Sequence, residues 1–203
     1  MRVILILSLF SAFSFSCSST TIENTQPVNE NPVPVVANID YPWKKSEDCQ
    51  LRDYGASGVP SVLQNIMEQL SLTHRITQGI NYSAKASNYH GPDAVENGGD
   101  VSFAIDLSIK CLKPDEIIAL LELLAQNNII AWYRLRGVDG WPKDEEEKYL
   151  NHIHAVYVKG TLKPQLAAQV QAWLDGKNGL TTNLPYSYWS PSHDIKNKIR
   201  DLL

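Results

Sequence analysis

Two histidines, His152 and His154, are separated by one residue in an apolar run that is typical of a β-strand. Because side chains alternate between the faces of a strand, both imidazoles are expected on one face, roughly 7 Å apart along the backbone. Neutral imidazole is a common zinc ligand, and a catalytic zinc needs three protein ligands and an open position for water. The pair is therefore either one ligand and one acid–base group, or two packed or surface histidines.

Asp106 is a carboxylate that could also bind a metal. It lies between Ile105 and Leu107 in a segment with alternating polarity. The residues two positions away on the same face, Ala104 and Ser108, are small enough to leave room for a ligand. Aspartate is rarely buried unless it is paired or bound to a metal. Asp106 is therefore either a metal ligand or a carboxylate that caps a loop or meets an arginine.

His90 lies in an irregular segment, residues 82–99, that is rich in Asn, Gly, Ser and Ala. Alone, a histidine in such a segment is interpreted as a solvated loop residue. His74 and His193 fall outside any chemical pattern, and both are predicted to be solvent-exposed. His90 gains a chemical interpretation only from its position in the chain before Asp106.

Hydrophobic periodicity and helix start signals indicate the strands and helices that must position these residues. Strands are predicted at residues 101–109, 129–135 and 152–158, with a short strand and turn at 75–81. Helices are predicted at residues 60–72, 117–125 and 164–174, with a short helix in the tail. Because helices and strands alternate irregularly, the chain is predicted to be an α+β domain with a small, mostly antiparallel sheet flanked by helices.

The N-terminus has the successive regions that are typical of an export signal. Arg2 supplies a positive charge, and the apolar run Val3–Phe15 follows it, 13 residues long. A membrane-spanning helix needs roughly 20 apolar residues, so residues 1–16 are predicted to be a signal peptide. The folded part of the chain is therefore expected outside the cytoplasm.

Cys17 follows the small residue Ser16 at the end of this run and resembles the lipobox cysteine of bacterial lipoproteins. The resemblance implies that Cys17 is acylated and anchors the protein in a membrane, facing the periplasm or the cell surface. Ser14 stands where that family usually has leucine, so ordinary cleavage with secretion is the alternative. An uncleaved anchor is a third interpretation.

Residues 17–38 are mostly Ser, Thr, Asn, Pro, Glu and Val without a hydrophobic period. Such a composition buries too little apolar surface to fold, so a disordered tether is predicted. Residues 39–203 are long enough for one domain with its own core. The formal net charge is −4 at pH 7, so no basic footprint indicates a nucleic-acid partner.

Cys49 and Cys111 remain as an even pair if Cys17 is lipidated. Outside the cytoplasm such a pair can form a disulfide. The alternative is two buried free thiols, because cysteine packs well in cores. The cysteines are too widely spaced to form a metal-binding motif.

Five parts of the chain follow one another in a recognisable order. They are Thr77–Asn81, Ser87–His90 with Ala104–Asp106, Ile117–Ala125, Ile130–Tyr133 and His152–Tyr157. They resemble, in order, the T-x-G-x-R turn, the Ser-x-His-x-x-Gly-x-Ala-x-Asp segment, the helix, the strand and the last His-bearing strand of the zinc D-alanyl-D-alanine carboxypeptidases and their Hedgehog-like relatives. The resemblance spans residues 75–158 and implies a Hedgehog/DD-peptidase-like fold.

The resemblance implies that His90, Asp106 and His154 bind one zinc ion, and that His152 acts as acid–base catalyst or stabilises the transition state. Zinc lowers the pKa of a bound water to about 7 and polarises the scissile carbonyl. A nearby base can then pass a proton to the leaving amine. The predicted function is hydrolysis of peptidoglycan stem peptides by a metallopeptidase of the cell envelope.

Substrate binding is the part of the resemblance that differs most. Asn81 stands where the family has the arginine that binds the substrate carboxylate. Arg134 and Arg136, on one face of a predicted strand, are candidate replacements, or else they form surface ion pairs. Trp141, in a Gly-Trp-Pro turn, is a candidate for covering a peptide or glycan. Several further aromatic residues either line such a groove or close a core: Trp132, Tyr186, Tyr188 and Trp189.

The spacing of the ligands also differs. His90 and Asp106 are sixteen residues apart, more than in the family, so residues 92–102 are expected to loop out. Asp100, within this insertion, is an alternative metal ligand if the following strand extends back to it.

The glutamate expected three residues before the last ligand is also missing, since Asn151 occupies that position. Glu145, Glu146 and Glu147 are close in sequence but are expected to form a solvated charge run. These departures leave two alternatives to a peptidase. One is a non-catalytic envelope binding module, and the other is a structural lipoprotein.

Overall fold

The computed structural model describes Trp43, Cys49, Leu51 and residues 57–81, 88–143 and 150–203. The predicted signal peptide (1–16), the predicted tether (17–38) with Cys17, and the Glu145–Glu147 run lie outside the described residues. Within the described part of the chain, no helix has the length and apolar character needed to cross a membrane.

Two antiparallel sheets organise the described part of the chain. The strands are β1 (Ile76–Gln78), β2 (Ala94–Glu96), β3 (Gly99–Val101), β4 (Ala104–Ser108), β5 (Ile129–Arg134) and β6 (His152–Tyr157). A four-stranded sheet has the order β1-β4-β6-β5, and β2 pairs with β3 in a separate hairpin. Every neighbouring pair of strands is antiparallel.

Helices accompany the larger sheet. Within the described residues the α-helices are α1 (Ser61–Gln69), α2 (Pro114–Gln126), α3 (Pro164–Leu174) and α4 (His193–Arg200), and a short 3-10 helix, Thr73–Arg75, precedes β1. Both α2 and α3 pack against β5. The predicted class, an α+β domain with a small antiparallel sheet flanked by helices, is confirmed.

The start of α2 follows from local chemistry. Pro114 occupies the first turn, where its missing N–H costs nothing, and Asp115 and Glu116 lie near the positive end of the helix dipole. The side chain of Glu116 also accepts a hydrogen bond from the backbone N–H of Lys113 at 2.8 Å. The helix then buries one apolar face: Ile117, Leu120, Leu121, Leu124 and Ala125.

The register of the larger sheet brings the polar candidates together. Asp106 on β4 lies opposite His154 on β6, and His154 lies opposite Trp132 on β5. Two residues away on β6, His152 lies opposite Arg134. Because opposed residues share a face and side chains alternate along each strand, all five side chains project from the same face of the sheet.

The strand predicted at residues 101–109 is interrupted, so that prediction is wrong in its first part. The carboxylate of Asp93 accepts hydrogen bonds from Ser102 Oγ at 3.1 Å and from Phe103 N at 2.7 Å. A side chain thus replaces the neighbouring strand as hydrogen-bond partner at this point. The strand that carries Asp106 therefore begins only after Phe103.

The insertion at residues 92–102 contains the β2–β3 hairpin rather than an irregular loop. Its turn consists of Asn97 and Gly98, whose φ angles are both positive, 51° and 80°. Positive φ at both central residues is typical of the tight type I′ turn, for which Asn-Gly is a preferred sequence. The extra residues relative to the predicted family pattern therefore have a defined local structure.

A disulfide joins Cys49 to Cys111, whose Cα atoms are 6.2 Å apart. The buried guanidinium of Arg75 donates to the carbonyl oxygens of Trp43, at 2.9 Å, and of Ser108, at 3.1 Å. Ser108 is the last residue of β4. These bonds therefore connect the part of the chain that precedes α1 to the end of the central strand.

Candidate metal centre

Three side chains that can bind a metal, His90, Asp106 and His154, converge at the pairing of β4 with β6. Oδ1 of Asp106 lies 2.9 Å from Nδ1 of His154 and 3.2 Å from Nε2 of His90. One ligand atom from each residue lies within 4.8 Å of the other two. The structure thus brings together the three predicted ligands, and this group can hold a metal ion.

The imidazole of His90 is oriented by the end of β1. Its Nδ1 lies 3.1 Å from the carbonyl oxygen of Gly79. A carbonyl only accepts hydrogen bonds, so Nδ1 carries the proton and Nε2 presents its lone pair to Asp106. The backbone around His90 is also held, because its N–H donates to Asn88 Oδ1 at 3.0 Å and its carbonyl accepts from Asn81 N at 2.7 Å.

A half-buried lysine at the start of α3 holds the same loop from the other side. Nζ of Lys163 donates to the carbonyl oxygens of Asn88 and Gly91, each at 2.8 Å. It also forms an ion pair with Asp93 at 2.9 Å, and only 1% of the Asp93 side chain is exposed. Lys163 therefore connects α3 to both sides of the loop that carries His90.

The imidazole of His154 is oriented by α3. Its Nε2 lies 3.2 Å from Oε1 of Gln169, while the amide nitrogen of Gln169 donates to the carbonyl of Gly179 at 3.2 Å. Because that carbonyl requires a donor, the amide oxygen must face the histidine, and Nε2 of His154 must carry the proton. Nδ1 of His154 therefore presents its lone pair to Asp106.

These hydrogen bonds leave two imidazole lone pairs and one carboxylate facing one another, an arrangement that a cation stabilises. Around a tetrahedral ion with bonds of roughly 2.0–2.1 Å, ligand atoms lie about 3.3 Å apart. The separations of 2.9 Å and 3.2 Å from Oδ1 of Asp106 are close to that value. Two imidazoles and a carboxylate suit zinc and other divalent transition ions.

The pKa values agree with a site for positive charge. Burial lowers the pKa of His154 to about 4, which keeps this ligand neutral. Burial acts to raise the pKa of Asp106, but the charge of His90 and the close contacts with the His154 and His90 imidazoles outweigh it and hold this pKa well below its usual range. Burial lowers the pKa of His90, yet the neighbouring Asp106 more than compensates and raises it.

His152 lies next to this group and is more exposed than His154, with 16% against 6% of the side chain accessible. Its Nδ1 lies 2.7 Å from the carbonyl oxygen of Leu150, so Nδ1 carries the proton. Its Nε2 then points a lone pair toward the centre, 3.6 Å from Oδ1 of Asp106. The edge of Trp141 packs against the ring, with 5.2 Å between centroids. His152 is thus placed to exchange a proton with a molecule bound at the centre.

Arg134 adds a buried positive charge on the same face of the sheet. Its guanidinium lies over Trp132 and Trp141, at 5.1 Å and 5.8 Å from the ring centroids, and donates to the carbonyl of Asn178 at 2.6 Å. Burial lowers its pKa to about 10, so it remains protonated at neutral pH. Among the residues that the structure describes, no carboxylate lies within ion-pair distance of Arg134.

Other predicted site residues lie elsewhere. Asp100 is exposed on β3, outside the larger sheet, and is not part of the ligand group. Arg136 lies beyond the end of β5, so it does not share a strand face with Arg134 as predicted, and its backbone N–H donates to Asn151 Oδ1 at 2.9 Å. His74 is half-buried against Trp43 and not solvent-exposed.

The aromatic candidates for a groove differ in their burial. Trp132 is fully buried and stacks on His154, with 6.0 Å between ring centroids. The side-chain oxygen of Tyr186 accepts from the backbone N–H of Tyr133, and Trp189 packs on Trp173. Trp141 lies beside His152 at the candidate site. The tail aromatics Tyr186, Tyr188 and Trp189 are partly buried and pack against the core.

A scan against protein-family models, a search of the curated proteins and a search of the solved structures each gave no match.

Proposed function

We propose that this protein is an exported zinc metallopeptidase that hydrolyses peptide bonds in the stem peptides of peptidoglycan. The observation that carries the proposal is the convergence of His90, Asp106 and His154, with His152 beside them. This set matches the resemblance to the zinc D-alanyl-D-alanine carboxypeptidases, which supplies the substrate class and a Hedgehog/DD-peptidase-like fold. An export signal followed by acylation of Cys17 would anchor the enzyme near the cell wall.

His90, Asp106 and His154 would hold a zinc ion, which would supply a Lewis acid for the scissile carbonyl and make water at the site more acidic. His152 can accept the proton of the attacking water at Nε2, because its Nδ1–H is already committed to the carbonyl of Leu150 at 2.7 Å. It then returns that proton to the leaving amine. Contact with Trp141 limits the rotation of the imidazole, so the lone pair stays directed at the reacting atoms.

Arg134 is the residue of this face that can attract the carboxylate of a stem peptide. It lies opposite His152 in the sheet, so the two side chains are neighbours across β5 and β6. Its positive charge also offsets the negative charge of Asp106. Asn81 supports the His90 backbone instead, through its own N–H.

A second candidate, a non-catalytic binding module, is favoured by the burial of Arg134. Only 4% of this residue is exposed, and its guanidinium already donates to Asn178. A substrate carboxylate would reach one edge of the group at most. In that case the metal centre binds a ligand or stabilises the fold, and no bond is cleaved.

Zinc content and fragment release separate the two candidates. The purified protein should contain about one zinc per chain by elemental analysis. His154→Ala should lose the metal, while His193→Ala, at the exposed start of α4, should keep it. His152→Ala should keep zinc and lose cleavage of peptidoglycan. Zinc retained by His154→Ala would overturn the ligand assignment, and a zinc-loaded protein that binds peptidoglycan without releasing fragments would select the binding module.

A further inference from the structure

A cleft of about 480 Å³ lies beside the metal centre. One wall is formed by α3, where Gln165, Ala168, Gln169 and Ala172 line the space. Their spacing of three and four residues places them on a single face of the helix. The opposite wall is the loop at residues 179–183.

The cleft and the metal centre share two residues. Gln169 lines the cleft and also hydrogen-bonds to His154. Tyr89 lines the cleft, directly precedes His90, and has its ring centroid 6.1 Å from that of His154. A molecule held in the cleft would therefore touch the two residues that pack on His154, so the cleft and the metal centre are neighbouring sites.

The lining favours an uncharged ligand. Of the described residues around the cleft, only Asp175 carries a formal charge, and no lysine or arginine is among them. Oδ1 of Asp175 accepts a hydrogen bond from the amide of Gln171 at 3.0 Å. The surface that remains consists of amides, a hydroxyl, a tyrosine ring and small apolar groups.

An extended peptide backbone would find few partners here. The backbone groups of α3 bond within the helix, and the carbonyl of Gly179 is taken by Gln169. Leu180 N donates to Asn178 Oδ1 at 3.0 Å, and Asn183 N donates to the carbonyl of Leu180 at 2.9 Å. Within the described residues no strand edge lines the cleft, so pairing by strand addition is not available. Recognition therefore depends on side chains.

We propose that this cleft binds an N-acetylated amino sugar of a glycan strand. An acetamido group both donates and accepts, so it can pair with a side-chain amide such as Gln165 or Asn183, and sugar hydroxyls can bond to Thr181. The ring of Tyr89 offers an apolar plane for the face of the sugar. That the glycan belongs to the cell wall rests on the proposed function, whereas the saccharide class rests on the lining of the cleft.

Titration with tri-N-acetylchitotriose tests the proposal directly. NMR spectra of the isotope-labelled full chain are recorded during the titration. One sample is the zinc-loaded wild type, and the other is the His154→Ala variant. Resonances of Gln165, Thr181 and Asn183 should shift in both samples, because the cleft does not require the metal. The double variant Gln165→Ala/Thr181→Ala should bind at least about tenfold more weakly, since it loses two hydrogen bonds. The matched control is Gln69→Ala/Thr73→Ala, which removes an amide and a hydroxyl from exposed positions in and after α1.

If the sugar binds in the cleft but the purified protein contains no zinc and hydrolyses no peptidoglycan, this inference holds and the proposed function fails. Absence of binding, shifts confined to other surfaces, or equal affinities of the two double variants would overturn it. A neutral tetrapeptide that shifts the cleft resonances when the trisaccharide does not would also overturn it. Thermal unfolding of each variant confirms that the comparison is made on folded protein.

Discussion

The side-chain oxygen of Gln169 lies 3.2 Å from Nε2 of His154, and this contact selects the imidazole nitrogen that faces Asp106. The amide cannot be reversed without cost, because its nitrogen donates to the carbonyl of Gly179. A residue of α3 therefore decides the tautomer of a ligand in the sheet. Outer partners of this kind typically contribute about 10–100-fold to metal affinity.

Replacing Gln169 with leucine should therefore weaken metal binding by about 10–100-fold while the fold persists. The change removes the acceptor for Nε2–H of His154, so the tautomer with Nδ1–H becomes populated. Affinity is measured by competition with a chelator, and the tautomer by nitrogen NMR of the imidazole. Gln165→Leu, one turn earlier on the same helix face, should leave both quantities unchanged. Equal affinities for the two variants would show that Gln169 does not orient the ligand.

Gly79 should not tolerate alanine. An added Cβ would lie 2.6 Å from the carbonyl oxygen of Ser57 and 2.8 Å from Cγ2 of Val59. The end of β1 must then shift, together with the carbonyl that orients His90. We expect a loss of about 1–3 kcal/mol in the free energy of unfolding, measured with urea, and weaker metal binding. The control Gly160→Ala has nothing within 4 Å of the added atom and should behave as wild type.

Lys163→Met should destabilise the protein by about 3 kcal/mol or more. The ammonium group lies against the buried carboxylate of Asp93 at 2.9 Å, and its removal leaves that charge without compensation. Because Lys163 also bonds to the loop at Asn88, the His90 side of the metal centre should loosen too. Urea unfolding and chelator competition measure the two effects. Lys196→Met in α4 provides the comparison, and an equal, small change in both variants would contradict the prediction.

The metal-free protein should lose stability as the pH falls from about 6.5 to about 4. An unfolded histidine titrates near 6.5, whereas burial lowers the pKa of His154 to about 4. Between these values the unfolded chain binds more protons, so the free energy of unfolding decreases with falling pH, by up to about 3 kcal/mol. His90, whose pKa is raised, stabilises the fold below pH 6.5 and loses that contribution only above it. Urea titrations in EDTA should show the slope in wild type and a flatter profile in His154→Leu.

The sequence correctly predicted the strands and helices that are determined by the pattern of consecutive residues. The apolar runs that became β5 and β6, and the start at Pro114 that became α2, carry their own signals in consecutive residues. The pairing of Asp106 with His154 agrees with the ligand set that the resemblance implied, whereas alternation along each strand does not by itself say which strands pair.

The contacts that could not be predicted are tertiary. Asp93 interrupts the predicted strand by accepting from Phe103, and nothing in the run 101–109 indicates it. Gln169 and Lys163 have no signature beyond their places in a helix and at its start. Their roles arise only when Lys163 meets Asn88 and Gly91, far away in the chain, and when Gln169 meets His154.

The bridge between Cys49 and Cys111 has a mechanical consequence. Tension applied at the N-terminus would pass directly through the two sulfurs to Cys111, bypassing residues 50–110. That bypassed stretch contains His90 and Asp106, two of the three candidate ligands. A covalent bridge holds under loads that separate hydrogen-bonded strands, so tension at the N-terminus would not pull these two residues away from the third.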